Sequence, residues 1–123
     1  MILDSSLWLE YFLGKEFTKF FKDFEEFQYN TFYVPTIIIY EVHKKISSDL
    51  GLDKADKFSQ FLKMGNVIDI DYELCILASR VSRNYKLAMA DSIIYSTALK
   101  YDIILYTLDK HFKGLPNVKY FEK

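Results

Sequence analysis

Short apolar segments separated by longer amphipathic ones are what most constrain this chain. "MIL" at the start, "TFYVP" at 31–35, "VIDI" at 67–70, "DIILYT" at 102–107 and "VKYF" at 118–121 read as strands. Each is brief and nearly all apolar, as in strands buried on both faces. Helical patterns lie between them. "SSLWLEYFLG" follows the first strand, with Asp4 or Ser5 in position to cap it. "EFTKFFKDFEEF" carries Phe17, Phe20, Phe21, Phe24 and Phe27 in an amphipathic pattern. "TIIIYEVHKKISSDL" opens at Thr36, a capping residue type, and places Ile38, Val42, Ile46 and Leu50 on one face. "DKADKFSQFLKM" precedes a turn at Gly65-Asn66, and "DYELCILASRVSRNY" and "LAMADSIIYSTALKY" complete the helices. Strands and helices alternating in this way specify an α/β fold with a mostly parallel sheet covered on both faces. In such sheets the binding crevice lies beyond the carboxyl ends of the strands.

A length of 123 residues fits one domain, 1–123, with a sizeable core. Two prolines and four glycines leave no linker, and there is no repeat or low-complexity tract. The formal net charge of -1 argues against a largely electrostatic nucleic-acid binder. It does not exclude an enzyme that meets phosphates through a metal ion. Cys75 is the only cysteine, so no internal disulfide forms; between the apolar neighbours of "ELCILAS" it is expected to be a buried structural thiol. One cysteine and two separated histidines do not assemble a zinc cluster. Asp4 interrupts the apolar start, which argues against a signal peptide, and no apolar run reaches membrane-spanning length. A soluble cytoplasmic protein is expected. The phosphate-binding glycine loop and the GxSxG nucleophile turn are both missing from the sequence.

The informative polar residues are acids. In "LAMADSIIYS", Leu87, Asp91, Ile94, Ala98 and Tyr101 share a helical stripe, which sets one carboxylate in an apolar face. A buried, unpaired carboxylate is costly or gives up its charge. Asp4 ends the first strand and Asp109 follows the fourth; singly, each is as readily a helix cap or turn residue. Glu41 lies one position off its apolar stripe, where a solvated helix residue is the ordinary reading. Together they mean more, because strand ends on one edge of a parallel sheet converge with the helix starts that leave it. Two like charges ~5 Å apart at an effective dielectric of ~20 repel by about 3 kcal/mol. A hard divalent cation removes that repulsion, and Mg²⁺ and Mn²⁺ prefer carboxylate and water oxygens without needing His or Cys.

These residues resemble the motifs of PIN-domain ribonucleases, notably the VapC-type toxins of toxin–antitoxin pairs. "ILDSSLWLEYF" resembles their opening motif, and "VPTIIIYEVHKKI" is similar to the second, with Glu41 at the acidic position. "KLAMADSIIYSTALKYDIILYTLDKHF" resembles the third and fourth together. The resemblance spans nearly the whole chain. It implies a three-layer α/β/α fold with four to five short strands, and a metal-dependent endoribonuclease. Asp4, Glu41, Asp91 and Asp109 would form the acidic quartet that holds Mg²⁺ or Mn²⁺. A metal-activated water would then cleave RNA to 5′-phosphate and 3′-hydroxyl ends. Ser5, Ser6 and Thr107 match hydroxyl positions that support the acids in relatives. A cognate antitoxin, laying its tail in a groove, and a homodimer are also implied. One departure is Lys100-Tyr101-Asp102, where many relatives have a glycine before the fourth strand.

Lys44, Lys45 and Lys110 lie near the acids in sequence and are the first candidates for RNA phosphates, ahead of Arg80, Arg83, Lys86 and Lys113. An ordinary solvated surface is the simpler explanation of them. His43 and His111 flank the acids with no nucleophile motif beside them, and His111 is a candidate substrate contact. The phenylalanine stripe reads chiefly as core, although 11 Phe and 10 Tyr are enough to line a groove or a homodimer face as well. Two other readings fit the acids: an inactive PIN-like module that binds RNA or protein, and another metal-assisted phosphoesterase.

Overall fold

A computed structural model describes residues 1–14 and 31–122; the expected helix at 16–27, with its phenylalanine stripe, lies outside the described residues. The elements run β1 (Ile2–Leu3), α1 (Ser5–Leu13), β2 (Tyr33–Pro35), α2 (Thr36–Leu50), α3 (Leu52–Lys63), β3 (Asn66–Ile68), α4 (Tyr72–Tyr85), α5 (Met89–Lys100), β4 (Leu105–Thr107), a 3-10 turn (Lys110–Phe112) and β5 (Val118–Tyr120). The alternation expected from sequence is present.

All the strand pairs are parallel. β4 lies between β1 and β5, with Ile2 opposite Leu105 and Leu105 opposite Val118. β2 pairs with β3, Val34 opposite Val67. These ladders form two sheets, β1-β4-β5 and β2-β3. Two bonds join them: the Met1 ammonium donates to the Thr31 carbonyl at 2.8 Å, and the Tyr33 N–H donates to the Met1 carbonyl at 2.8 Å. This is the slanted pattern of a parallel ladder, and it sets the strands in the order β3-β2-β1-β4-β5.

Ile2 and Leu3 are both buried, as are Val34 and Pro35. Adjacent strand residues point to opposite faces, so both faces of these central strands are covered. α2 packs on α3, α4 packs on α5, and α1 packs on α2. The stripe Ile38, Val42 and Ile46 is buried as read, at roughly 1.5–3 kcal/mol per side chain. Leu50, the fourth member, is exposed at the end of α2.

Several boundaries differ from the expected ones. β4 begins at Leu105 rather than residue 102, because Asp102 has φ 51, a left-handed turn conformation. Asp is among the few side chains that tolerate such a φ, and Asn117 Nδ2 donates to its Oδ1 at 3.1 Å. α2 has Pro35, not Thr36, at its N-cap. The last helix begins at Met89, so Leu87 lies before it, buried, while Tyr101 at its C-cap is exposed. The expectation of a buried Cys75 is wrong: the thiol is exposed. α4 buries Leu74, Ala78 and Val81, and Cys75, one position round from Leu74, faces outward.

Candidate metal centre

Asp4 follows β1, Asp109 follows β4, Glu41 lies in the second turn of α2 and Asp91 in the first turn of α5. Asp4 occupies the N-cap position of α1, yet its side chain makes no capping hydrogen bond. Instead, the Ser6 hydroxyl donates to Asp4 Oδ2 at 2.9 Å and the buried Thr107 hydroxyl donates to the same oxygen at 2.8 Å. Thr107 Oγ1 in turn accepts the Asp109 N–H at 2.9 Å, and Ser6 Oγ accepts the Leu108 N–H at 3.2 Å. The ends of β1 and β4 are thus cross-tied by two hydroxyls that serve two acids.

Asp109 does cap the 3-10 turn, its Oδ1 accepting the His111 N–H at 2.9 Å. Phe112, fully buried, anchors that turn against Tyr95 of α5. The cap bond and the anchor together bring His111 Nδ1 to 3.2 Å from Asp109 Oδ1 and 3.6 Å from Asp91 Oδ2. Asp91, Asp109 and His111 each offer one donor atom, and the three lie within 4.8 Å of one another. Sequence reasoning weighed His111 only as a substrate contact; its neighbour Asp109, read as a turn residue, was the available signal.

The acids act on one another. Burial pushes Glu41 up to about 7, with the charges of Asp4, Asp91 and Asp109 adding to the rise and the Ser5 hydroxyl opposing it. Burial likewise raises Asp91 to about 6, helped by Asp109 and Asp4 and opposed by His111. Asp4 is raised by burial, against the pull of its Thr107 and Ser6 hydrogen bonds. Oε1 of Glu41 is buried with no hydrogen-bond partner among the described residues. An orphaned carboxylate oxygen within the field of other carboxylates is a donor without a counter-charge, and a hard divalent cation fits such a set.

Of the other sequence candidates, Lys45 lines a groove of about 410 Å³ beside Asp109, together with Ser6, Leu9, Glu10, Leu13 and Leu108. It also pairs with Asp49 at 3.6 Å. Glu10, which sequence reasoning passed over, is buried in α1 at the wall of this groove. Lys44 lies over the Tyr40 ring, and Lys110 is exposed in the turn next to Asp109. Lys113 pairs with Glu122, and Arg80, Arg83 and Lys86 are exposed on or just after α4. His43 is drawn away from the acids: its Nε2 lies 2.8 Å from Asp56 Oδ1, linking α2 to α3.

The fold is shared with solved structures of low sequence identity. A toxin–antitoxin complex from Klebsiella pneumoniae aligns with a TM-score of 0.82 at 22% identity, over 99% of this chain and 98% of that one. VapBC from Salmonella typhimurium, bound to DNA, aligns at 0.74 and 14% identity, over 98% and 96%. VapBC2 from Rickettsia felis, bound to a DNA fragment from its promoter, aligns at 0.73 and 16% identity, over 98% and 96%. No curated protein matches in sequence. The PIN domain family matches residues 1–118, and the chain belongs to that family.

Proposed function

We propose that this chain, as one PIN domain over residues 1–123, is a metal-dependent endoribonuclease, the VapC-type toxin of a toxin–antitoxin pair. The observation that carries the reading is geometric: the donor atoms of Asp91, Asp109 and His111 lie within 4.8 Å of one another, Thr107 ties Asp4 to the Asp109 backbone, and Glu41 has a buried oxygen with no partner among the described residues. Asp4, Glu41, Asp91 and Asp109 would be both the metal ligands and the catalytic acids. Mg²⁺ or Mn²⁺, when bound there, supplies polarisation of a phosphoryl oxygen and acidification of a water molecule. The remaining work belongs to the chain. Ser6 and Thr107 fix the rotamer of Asp4, and Thr107 also holds the backbone that carries Asp109. Ser5 supports Glu41, which holds a proton near neutral pH until a cation displaces it. Lys44, Lys45 and Lys110 are assigned to RNA phosphates, with Lys45 on the wall of the groove that leads to Asp109.

The description of structural neighbours as toxin–antitoxin complexes supports a small antitoxin as partner, and the groove of Leu9, Leu13 and Leu108 beside Glu10 and Asp109 suits an amphipathic tail. Exposed Tyr72, Ile76 and Met89 on α4 and α5 support a face for a second copy of the chain. Among the described residues no helix is long and apolar enough to cross a membrane, and we assign the protein to the cytoplasm.

The test is cleavage of an RNA oligonucleotide by purified protein with Mg²⁺ or Mn²⁺, beside Asp4→Asn and Asp91→Asn and beside a phosphomonoester. Metal-dependent RNA cleavage that falls at least about 100-fold in both variants supports the reading. Cleavage in chelator, or undiminished activity in both variants, overturns it. Hydrolysis of the phosphomonoester alone would make the protein a different phosphoesterase. No metal binding at millimolar concentration would leave an inactive binding module.

A further inference from the structure

The acid centre has a nitrogen donor on its rim. His111 reaches it through two constraints already described, the Asp109 cap on its own N–H and the buried Phe112 beside it. Its Nδ1 is the ring atom turned toward both carboxylates, at 3.2 Å from Asp109 Oδ1 and 3.6 Å from Asp91 Oδ2. An octahedral ion with ligands at 2.0–2.1 Å separates adjacent donors by about 3 Å and opposite donors by about 4 Å. The two distances from Nδ1 fall in that range; the trio as a whole lies within 4.8 Å, so it would contract slightly around an ion, which the exposed ring permits.

Resting on the metal-centre reading above, we propose that His111 is a ligand of the bound ion and makes the centre selective for Mn²⁺ over Mg²⁺. The chemistry follows from donor type. Mg²⁺ prefers oxygen and keeps its waters, so an imidazole adds little to its binding. Imidazole nitrogen suits the first-row transition ions. Mn²⁺ is the member of that row that most prefers oxygen, but its open-shell d electrons and looser hydration let it take one nitrogen among carboxylates more readily than Mg²⁺ does. Asp91 and Asp109 supply the charge that either ion needs, and His111 supplies the preference. The alternative role for the same contacts is an ion pair, in which a protonated ring neutralises the two acids and is expelled or turned aside by a cation.

The experiment uses the full chain stripped of metal, as wild type, His111→Ala and His111→Gln. Affinities for Mn²⁺ and for Mg²⁺ are measured by titration calorimetry, and the Mn²⁺ complexes are examined by pulsed electron paramagnetic resonance. At 75% exposure the His111 side chain carries no core packing, so both variants fold. Direct nitrogen coupling to Mn²⁺ is expected in the wild type and is lost in both variants. Mn²⁺ affinity falls about tenfold or more in His111→Ala, while Mg²⁺ affinity changes less than about twofold. Mn²⁺ binding without nitrogen coupling, or equal losses for the two ions, overturns the ligand assignment and leaves the metal centre standing. If the wild type binds Mg²⁺ but not Mn²⁺, the His111 proposal falls and the metal centre stands; if it binds neither ion, both readings fall.

Discussion

Thr107 holds two acids with one hydroxyl, donating to Asp4 and accepting from the Asp109 N–H. Thr107→Val keeps the shape and removes both bonds, leaving a buried carboxylate and an amide short of partners. Stability should drop by about 1–3 kcal/mol in urea unfolding. Glu41 gives a prediction of unusual sign. Its pKa is raised from 4.5 to about 7 on folding, and that of Asp91 from 3.8 to about 6, in both cases chiefly by burial. Between the unfolded and folded values the native state holds protons that the unfolded chain has released. The contribution to stability is therefore present at low pH and is lost as pH rises from about 4.5 to about 7. In chelator, the melting temperature should be higher near pH 5.5 than near pH 7.5, and Glu41→Gln should flatten the profile; a profile that rises with pH would contradict the cluster. Motif order singled out the four candidate acids, and of the hydroxyls it named, Ser6 and Thr107 bond to Asp4. His111 and Cys75 were not, because each depends on where one turn of backbone points.

Elements were readable where period and length agreed. The stripe Ile38, Val42 and Ile46 and the strands β1, β2 and β4 declared themselves by their apolar pattern; β3 and β5, at the sheet edges, are not buried on both faces as expected. Ends were harder, since a left-handed residue such as Asp102 carries no hydropathy signal. Gly65 illustrates another silent constraint. It was read as a turn residue, and in the fold it is where the end of α3 presses on β2. A Cβ there would stand 3.0 Å from Val34 Cγ2 and 3.1 Å from the Phe32 carbonyl oxygen. That oxygen is already held by the Asn66 N–H at 2.8 Å, so it has little room to retreat. Gly65→Ala should cost about 1–3 kcal/mol by chemical denaturation and weaken the pairing of β2 with β3.

At the scale of the whole molecule, the acids oppose the fold that gathers them. A cation that binds only the native arrangement stabilises it by mass action, by about 2.7 kcal/mol at a hundredfold excess over its dissociation constant. Adding Mn²⁺ should raise the melting temperature by several degrees, EDTA should reverse the gain, and Asp91→Asn should abolish it. A wild-type melting temperature unmoved by millimolar Mn²⁺ would count against a native metal centre. The α/β alternation and the parallel strands were legible in sequence because burial writes them into every segment. The join between β1 and β2 was not, since it rests on the backbone of a single residue, Met1.

The bond from Thr107 to Asp4 spans 103 residues of chain. During synthesis the first strand waits for β4 as a neighbour until the ribosome has made about a hundred further residues. Through that interval Asp4 and Asp109 are far apart, and the nascent polypeptide carries no assembled centre. A chain broken off before Leu105 would lack the strand that aligns the first acid, however well its helices had formed. The first and last of the four acids thus come together in one step, at the moment the two distant segments meet.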